Sequence, residues 1–145
     1  MAEYVYNAIQ TVQPNQPVLL NDSIPCTKGY IYHRNESGNL ILRGIVNNPC
    51  GRFARYQVTF NGNIAVPTGE TVGPISVALA IDGEPILTSR AIVTPAAVEE
   101  YNNVTSTAVI TVPTGCCFSI SVENVTESAI PIEVQNANVT VSRIA

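Results

Sequence analysis

The chain has 145 residues, one domain's worth, with a net charge of −4, 46% hydrophobic residues and only 12% charged ones. A charged share about half the usual ~25% excludes a disordered tail. The acidic balance, with Lys28 and six Arg as the only lysine and arginines, excludes the basic stripe of a nucleic-acid binder.

At the N-terminus, Met1-Ala2-Glu3-Tyr4-Val5-Tyr6-Asn7 has neither the basic start nor the apolar run of a secretory signal. No stretch approaches the ~20 apolar residues of a membrane helix. The expectation is cytoplasmic synthesis without a signal peptide, no membrane partner, and release by lysis or within a particle. Tyr4 and Tyr6 fall on one strand face, before a turn over Gln13-Pro14-Asn15-Gln16-Pro17. Residues 1–16 therefore have two readings. They are an attachment arm that offers Tyr4 and Tyr6 to a partner surface, or they are the first strand of a sheet.

Weaker strand patterns follow near Val5–Val12, Pro17–Leu20, Gly29–His33 and Leu40–Val46. From Tyr56 to Val66 every even position is apolar or Gly, which predicts one long half-buried strand. Asn61-Gly62 is ordinarily a hairpin signal. The apolar phase runs through it unbroken, so Gly62 is expected to face inward. The next strand is predicted over Val72–Ile81. Ile75, Val77, Leu79 and Ile81 form its bulky face; Ser76, Ala78 and Ala80 form a small, uncharged one. A strand covered on both sides suggests a subunit contact, so Ser76, Ala78 and Ala80 are the expected trimer interface. Asp82-Gly83 predicts a tight turn.

Val66-Pro67-Thr68-Gly69 and Val112-Pro113-Thr114-Gly115 repeat one turn pattern. Thr105–Val112 alternates, as do Phe118, Ile120 and Val122. Ile130, Ile132 and Val134 are even, whereas Val139 and Val141 are odd, so Gln135-Asn136-Ala137 must hold a turn or bulge. Ala96–Tyr101 has room for one helical turn, and no segment of ten residues has helical spacing. Nine or ten short strands make a single all-β domain over residues 1–145, a β-sandwich of jelly-roll type.

Chemistry is hard to find. His33 is the only histidine, which excludes any site built from two, and it ends an alternating strand with no nucleophile motif beside it. Cys116 and Cys117 point to opposite faces of a strand and lack the C-x-x-C partner of a metal site. Synthesis in a reducing cytosol argues against disulfides, although Cys26 and Cys50 could close in an oxidising medium. Glu99-Glu100 with Asp82 and Glu84 lacks the D-x-D spacing of a calcium loop. No glycine-rich phosphate loop appears. Five Asn-x-Ser/Thr triplets start at Asn21, Asn35, Asn103, Asn124 and Asn138, and without a signal peptide they are expected to go unmodified. No catalytic residue, cofactor or metal is expected.

Four segments carry a resemblance. Ala54-Arg55-Tyr56-Gln57-Val58-Thr59-Phe60 is similar to the aromatic-x-V-x-F strand of the tumour-necrosis-factor and complement-head jelly rolls. Val77–Gly83 resembles their apolar strand and Asn/Asp-Gly hairpin. Val112-Pro113-Thr114-Gly115 with Phe118–Asn124, and Gln135–Val141, resemble their last two strands. Within that group the style is that of bacterial spore-surface glycoprotein heads and phage virion proteins. Two departures stand out: Pro-Thr-Gly replaces Ala-Gly-Asp, and no collagen repeat precedes the domain. The resemblance, over about Ala54 to Ala145, implies a homotrimer and a structural role on a virion or particle surface. A capsid decoration or head-fibre subunit attached to a capsid lattice or other virion protein is the expected function. A receptor- or carbohydrate-binding trimeric head is the alternative.

Overall fold

The computed structural model describes residues 2–24, 31–33, 37–44, 53–113 and 117–144. In chain order the strands are β1 (Ala2–Tyr6), β2 (Gln10–Val12), β3 (Asp22–Ile24), β4 (Ile31–His33), β5 (Leu40–Arg43) and β6 (Phe53–Ala65). They continue as β7 (Ile75–Ile81), β8 (Glu84–Pro85), β9 (Ala91–Val93), β10 (Asn102–Pro113), β11 (Cys117–Asn124) and β12 (Ile132–Arg143). The first sheet runs β10-β6-β12-β1-β3, with β2 also paired to β12. The second runs β4-β5-β11-β7-β8, with β9 paired to β7. Side chains from both sheets, among them Tyr4, Leu42, Tyr56, Phe60, Leu79, Ile110, Ile120 and Val139, merge into one buried cluster. The molecule is therefore a sandwich, and the period-2 alternation is what supplies each sheet with an inward apolar face. Among the ties that cross it, the hydroxyl of buried Tyr56 on β6 donates to the Arg43 carbonyl at the end of β5, 2.5 Å away.

Strand β6 shows the alternation at full length, with its even-numbered side chains buried from Ala54 to Ile64. Asn61 and Gly62 sit inside it, paired with Thr105 and Val104 of β10. The single strand expected through Asn61-Gly62 is what forms; a turn there would expose Phe60 and Ile64, both fully buried. Strand β7 begins at Ile75, three residues later than the pattern suggests. Pro74 has no N–H to give to a ladder, which explains the late start. Asp82 and Gly83 make the predicted two-residue hairpin, with φ of 50° and 84°, the mirror-image turn that matches strand twist. At Pro67-Thr68-Gly69 the Glu70 N–H donates to the Pro67 carbonyl at 3.2 Å. The second copy of that turn lies partly outside the described residues.

Helix is confined, among the described residues, to one 3-10 turn at Leu87–Ser89, where the Ser89 hydroxyl donates to the Ile86 carbonyl at 2.6 Å. Ala96–Tyr101 is not helical; Glu99 adopts a φ of 56° there, and its N–H donates to the Val66 carbonyl at 2.9 Å. The phase slip in β12 is a bulge. Gln135 pairs with Asn63 and Asn138 with Asn61, so three steps on β12 face two on β6. Asn136, at φ 56°, carries the extra residue. The same point separates the N-terminal strands: β1 pairs with residues 137–141 and β2 with 132–134. Gly62 lies opposite the bulge. A Cβ there would come within 2.9 Å of the Phe60 ring and 3.6 Å of the Ala137 Cα.

Between Gln10 and Leu19 the chain uses a side chain in place of a ladder. The Gln10 amide donates to the Leu19 carbonyl and accepts from the Leu19 N–H, both at 2.9 Å. Cys26, Cys50 and Cys116 lie outside the described residues; Cys117 is exposed at the start of β11.

Gly62→Val should destabilise the fold by about 1–3 kcal/mol, because the added atoms must displace the buried Phe60 ring or the β12 bulge. Thermal melts check it; a neutral change would show that the bulge gives way freely.

Candidate functional site

With the even-numbered side chains of β6 and β10 directed inward, the odd-numbered ones form the outer face of the first sheet. Cross-strand partners there are polar and uncharged. Thr59 and Thr107 share a hydroxyl–hydroxyl hydrogen bond at 3.0 Å. The Asn103 amide donates to Asn61 at 2.9 Å and to Asn63 at 3.2 Å, and the Thr105 hydroxyl donates to Asn61 at 3.3 Å. Gln57 pairs with Val109 on one side and Ser142 on the other; Thr140 adjoins Thr59. Val109 is 58% exposed in the middle of these polar groups. Among the described side chains of this face, charge lies at Arg55, Glu133 and Glu3. In a chain this poor in charge, a broad face of Thr, Asn, Gln and Ser costs little to desolvate compared with a charged one.

The second sheet answers the expectation about β7. Ala78 and Ala80 are 0% exposed and Ser76 is 1% exposed within the single chain. Their face is already covered by the chain's own atoms, so it offers no surface to another copy. The expected interface at Ser76, Ala78 and Ala80 is therefore corrected: both sides of β7 are hidden by folding, not by assembly. Next to it, Glu123 on β11 pairs with Ala78 and is 6% exposed. Burial pushes its carboxyl above the ordinary range, against the opposing effect of a hydrogen bond from Ser121.

The attachment reading of Tyr4 and Tyr6 is corrected in the same way. Strand β1 lies inside the first sheet, between β12 and β3. Tyr4 is 2% exposed in the core, its ring 4.8 Å from that of His33, and burial raises its hydroxyl pKa. Tyr6 is half-buried against the same cluster. Residues 2–6 are thus the first strand. His33 donates from Nε2 to the Ser37 carbonyl at 2.9 Å, a structural contact.

Sequence reasoning missed a buried polar network. Asn124, at the end of β11, donates from its amide to the carbonyls of Val12 and Ile130, at 3.1 and 3.0 Å. Its carbonyl oxygen accepts from the Thr126 N–H at 3.1 Å and the Thr126 hydroxyl at 2.7 Å. Thr126 Oγ1 accepts in turn from the Ser76 N–H at 3.1 Å. The Asn-x-Thr triplet was the visible signal, noted only as one of five acceptor triplets expected to go unmodified. Spacing of two is also what lets an Asn side chain close a turn on the backbone two residues on. Asn124, at 1% exposure with every amide group engaged, cannot carry a glycan.

Elsewhere, the Tyr101 hydroxyl donates to Glu133 at 2.6 Å, and burial and that carboxylate raise its pKa. Hydrogen bonds from the Thr68 hydroxyl and N–H hold the Glu99 carboxyl below its usual range. Among the described residues no three His, Cys, Asp or Glu side chains cluster closely enough to hold a metal ion.

No protein-family model matches the chain, and no curated protein matches it significantly. Solved structures do. The globular domain of zebrafish complement 1qA is 14% identical with a TM-score of 0.64, covering 99% of this chain and 96% of that one. The Eiger TNF of S. frugiperda is 13% identical with a TM-score of 0.67, covering 100% and 92%. The fold is the C1q/TNF jelly roll. Both likenesses run through the N-terminal third of the chain, which the sequence resemblance does not cover.

Two outcomes test the buried polar groups. Asn124→Ala strands two carbonyls and should cost about 1–3 kcal/mol in denaturant unfolding. Glu123 has its pKa raised on folding, so its stabilising contribution is complete below the ordinary carboxylate range near ~4.3 and is lost as pH rises through the raised value. The melting temperature of Glu123→Gln relative to the native chain should accordingly climb from about pH 4 towards neutrality. A pH-independent gap would show that the carboxyl is solvated.

Proposed function

We propose that the chain is a non-catalytic structural head that self-associates through the outer face of its first sheet and serves on the surface of a particle. The single observation behind this is the uncharged Thr/Asn/Gln/Ser face of β10, β6 and β12. Interface cores are depleted of charge, whereas a face meant for solvent ordinarily carries charges of both signs. The homotrimer is the assembly implied by the resemblance to the complement and tumour-necrosis-factor heads. A virion surface, with the chain as a capsid decoration or head-fibre subunit, is the setting implied by the likeness to phage proteins. A receptor- or carbohydrate-binding head is the second reading, favoured by an open cleft beside Arg90 on the other sheet.

Light scattering at micromolar concentration should give three times the 15.5 kDa chain mass. Thr59→Lys, which places a charge at the centre of the face, should return the mass of one chain while leaving the melting transition in place. A monomer from the native chain would overturn self-association; a trimer that survives Thr59→Lys would move the interface elsewhere. Purified particles should carry the chain at a copy number set by their lattice. Binding to host cells without incorporation would favour the second reading.

A further inference from the structure

Outside the first sheet, an opening with a built polar floor lies where β7, β9 and the residues after β11 meet. It is a cavity of about 540 Å³ lined by Pro74, Ser76, Arg90, Ile92, Glu127 and Ser128. Its size falls within the range of small-molecule sites.

Arg90 is its charged centre. The side chain is only 22% exposed, and Nε donates to the Ser76 hydroxyl at 3.2 Å. That hydroxyl donates to the Val125 carbonyl at 3.0 Å, and the Ser76 backbone N–H donates to Thr126, which is locked to Asn124. The guanidinium is thus held by a hydrogen-bonded chain that reaches the core, the kind of support that fixes a binding group before the ligand arrives. Its Nη2 meets the Glu127 carboxylate at 3.1 Å. Glu127 is 83% exposed, and ion pairs with so solvated a partner contribute little. Nη1 has no partner among the described residues, so one edge of the fork is open to a planar carboxylate. Around it, Pro74 and the exposed Ile92 supply apolar walls, and Ser128 supplies a hydroxyl.

We propose that this cleft binds a sugar acid, with its carboxylate taking both Nη groups of Arg90 in place of Glu127. A sugar ring presents an apolar C–H face for Ile92 and Pro74 and hydroxyls for the exposed Ser128, while Ser76 is committed to holding Arg90; the internal Glu127 contact marks where the acid group sits. The site is built within one chain and does not depend on self-association.

Saturation-transfer NMR with sodium D-glucuronate and sodium N-acetylneuraminate as probes tests this, with D-glucose and sodium acetate as controls. At least one acid should bind saturably, at least about 10-fold tighter than either control. Glu127→Gln should tighten it about 2- to 5-fold by removing the competitor. Arg90→Lys, which keeps the charge and loses the fork, should weaken it about 10-fold or more with the melting transition retained. No saturable binding by the native chain or Glu127→Gln, an affinity unmoved by Glu127→Gln, or acetate binding as tightly as the acids would each overturn the proposal. Light scattering on the same samples keeps this result separate from the fate of the trimer.

Discussion

Strand β12 must bury Ile132 and Val134 at one end and Val139 and Val141 at the other, and these positions differ in parity. A regular strand cannot do both, because its side chains alternate strictly between faces. One extra residue at Asn136 resolves the conflict. Since β12 lies between β6 and the N-terminal strands, the consequences spread in both directions. On one side Gly62 has no side chain where the bulge crowds in. On the other, the N-terminal segment breaks into β1 and β2, each in register with its own half of β12. The inward placement of Tyr4 follows, because β1 pairs with the odd-phase half.

Much of this was legible in the residues. The alternation through Asn61-Gly62 outweighed a local turn signal, and it did so because burying Phe60 and Ile64 is worth more than a favourable two-residue turn. The parity slip announced the bulge, and Asp82-Gly83 announced the hairpin. Elements whose pairing does not use a repeating side-chain pattern were less visible. Segment 17–20 is held by isolated bridges and by the Gln10 amide, and a glutamine reads as polar whether it faces water or replaces a strand. The two site expectations failed for one reason. Small residues on β7 and tyrosines on β1 both mark surfaces that meet other atoms, but sequence does not say whether those atoms belong to the same chain.

The low identity to C1q and TNF structures is understandable on the same grounds. What the fold requires is apolar side chains at alternate positions, a few turn residues, and a compensated bulge. Many residue combinations satisfy those demands. The polar network through Asn124, Thr126 and Ser76 is a different kind of requirement, since each group depends on a named partner at hydrogen-bond distance. Residues of that kind mark the part of the sandwich where geometry, rather than volume, is being held.

That distinction bears on how one small domain could both assemble and bind. The uncharged face lies on the outside of the first sheet. Ser76 points outward from the second, since its neighbours Ile75 and Val77 are the ones that enter the core. The Arg90 cleft and the Thr59–Thr107 face therefore look away from each other across the thickness of the sandwich. Copies joined through the first sheet would leave the cleft open, and each would present it away from the contact. Assembly through the charge-free face and recognition through the single anchored arginine, as proposed, would make no competing demands on the same residues.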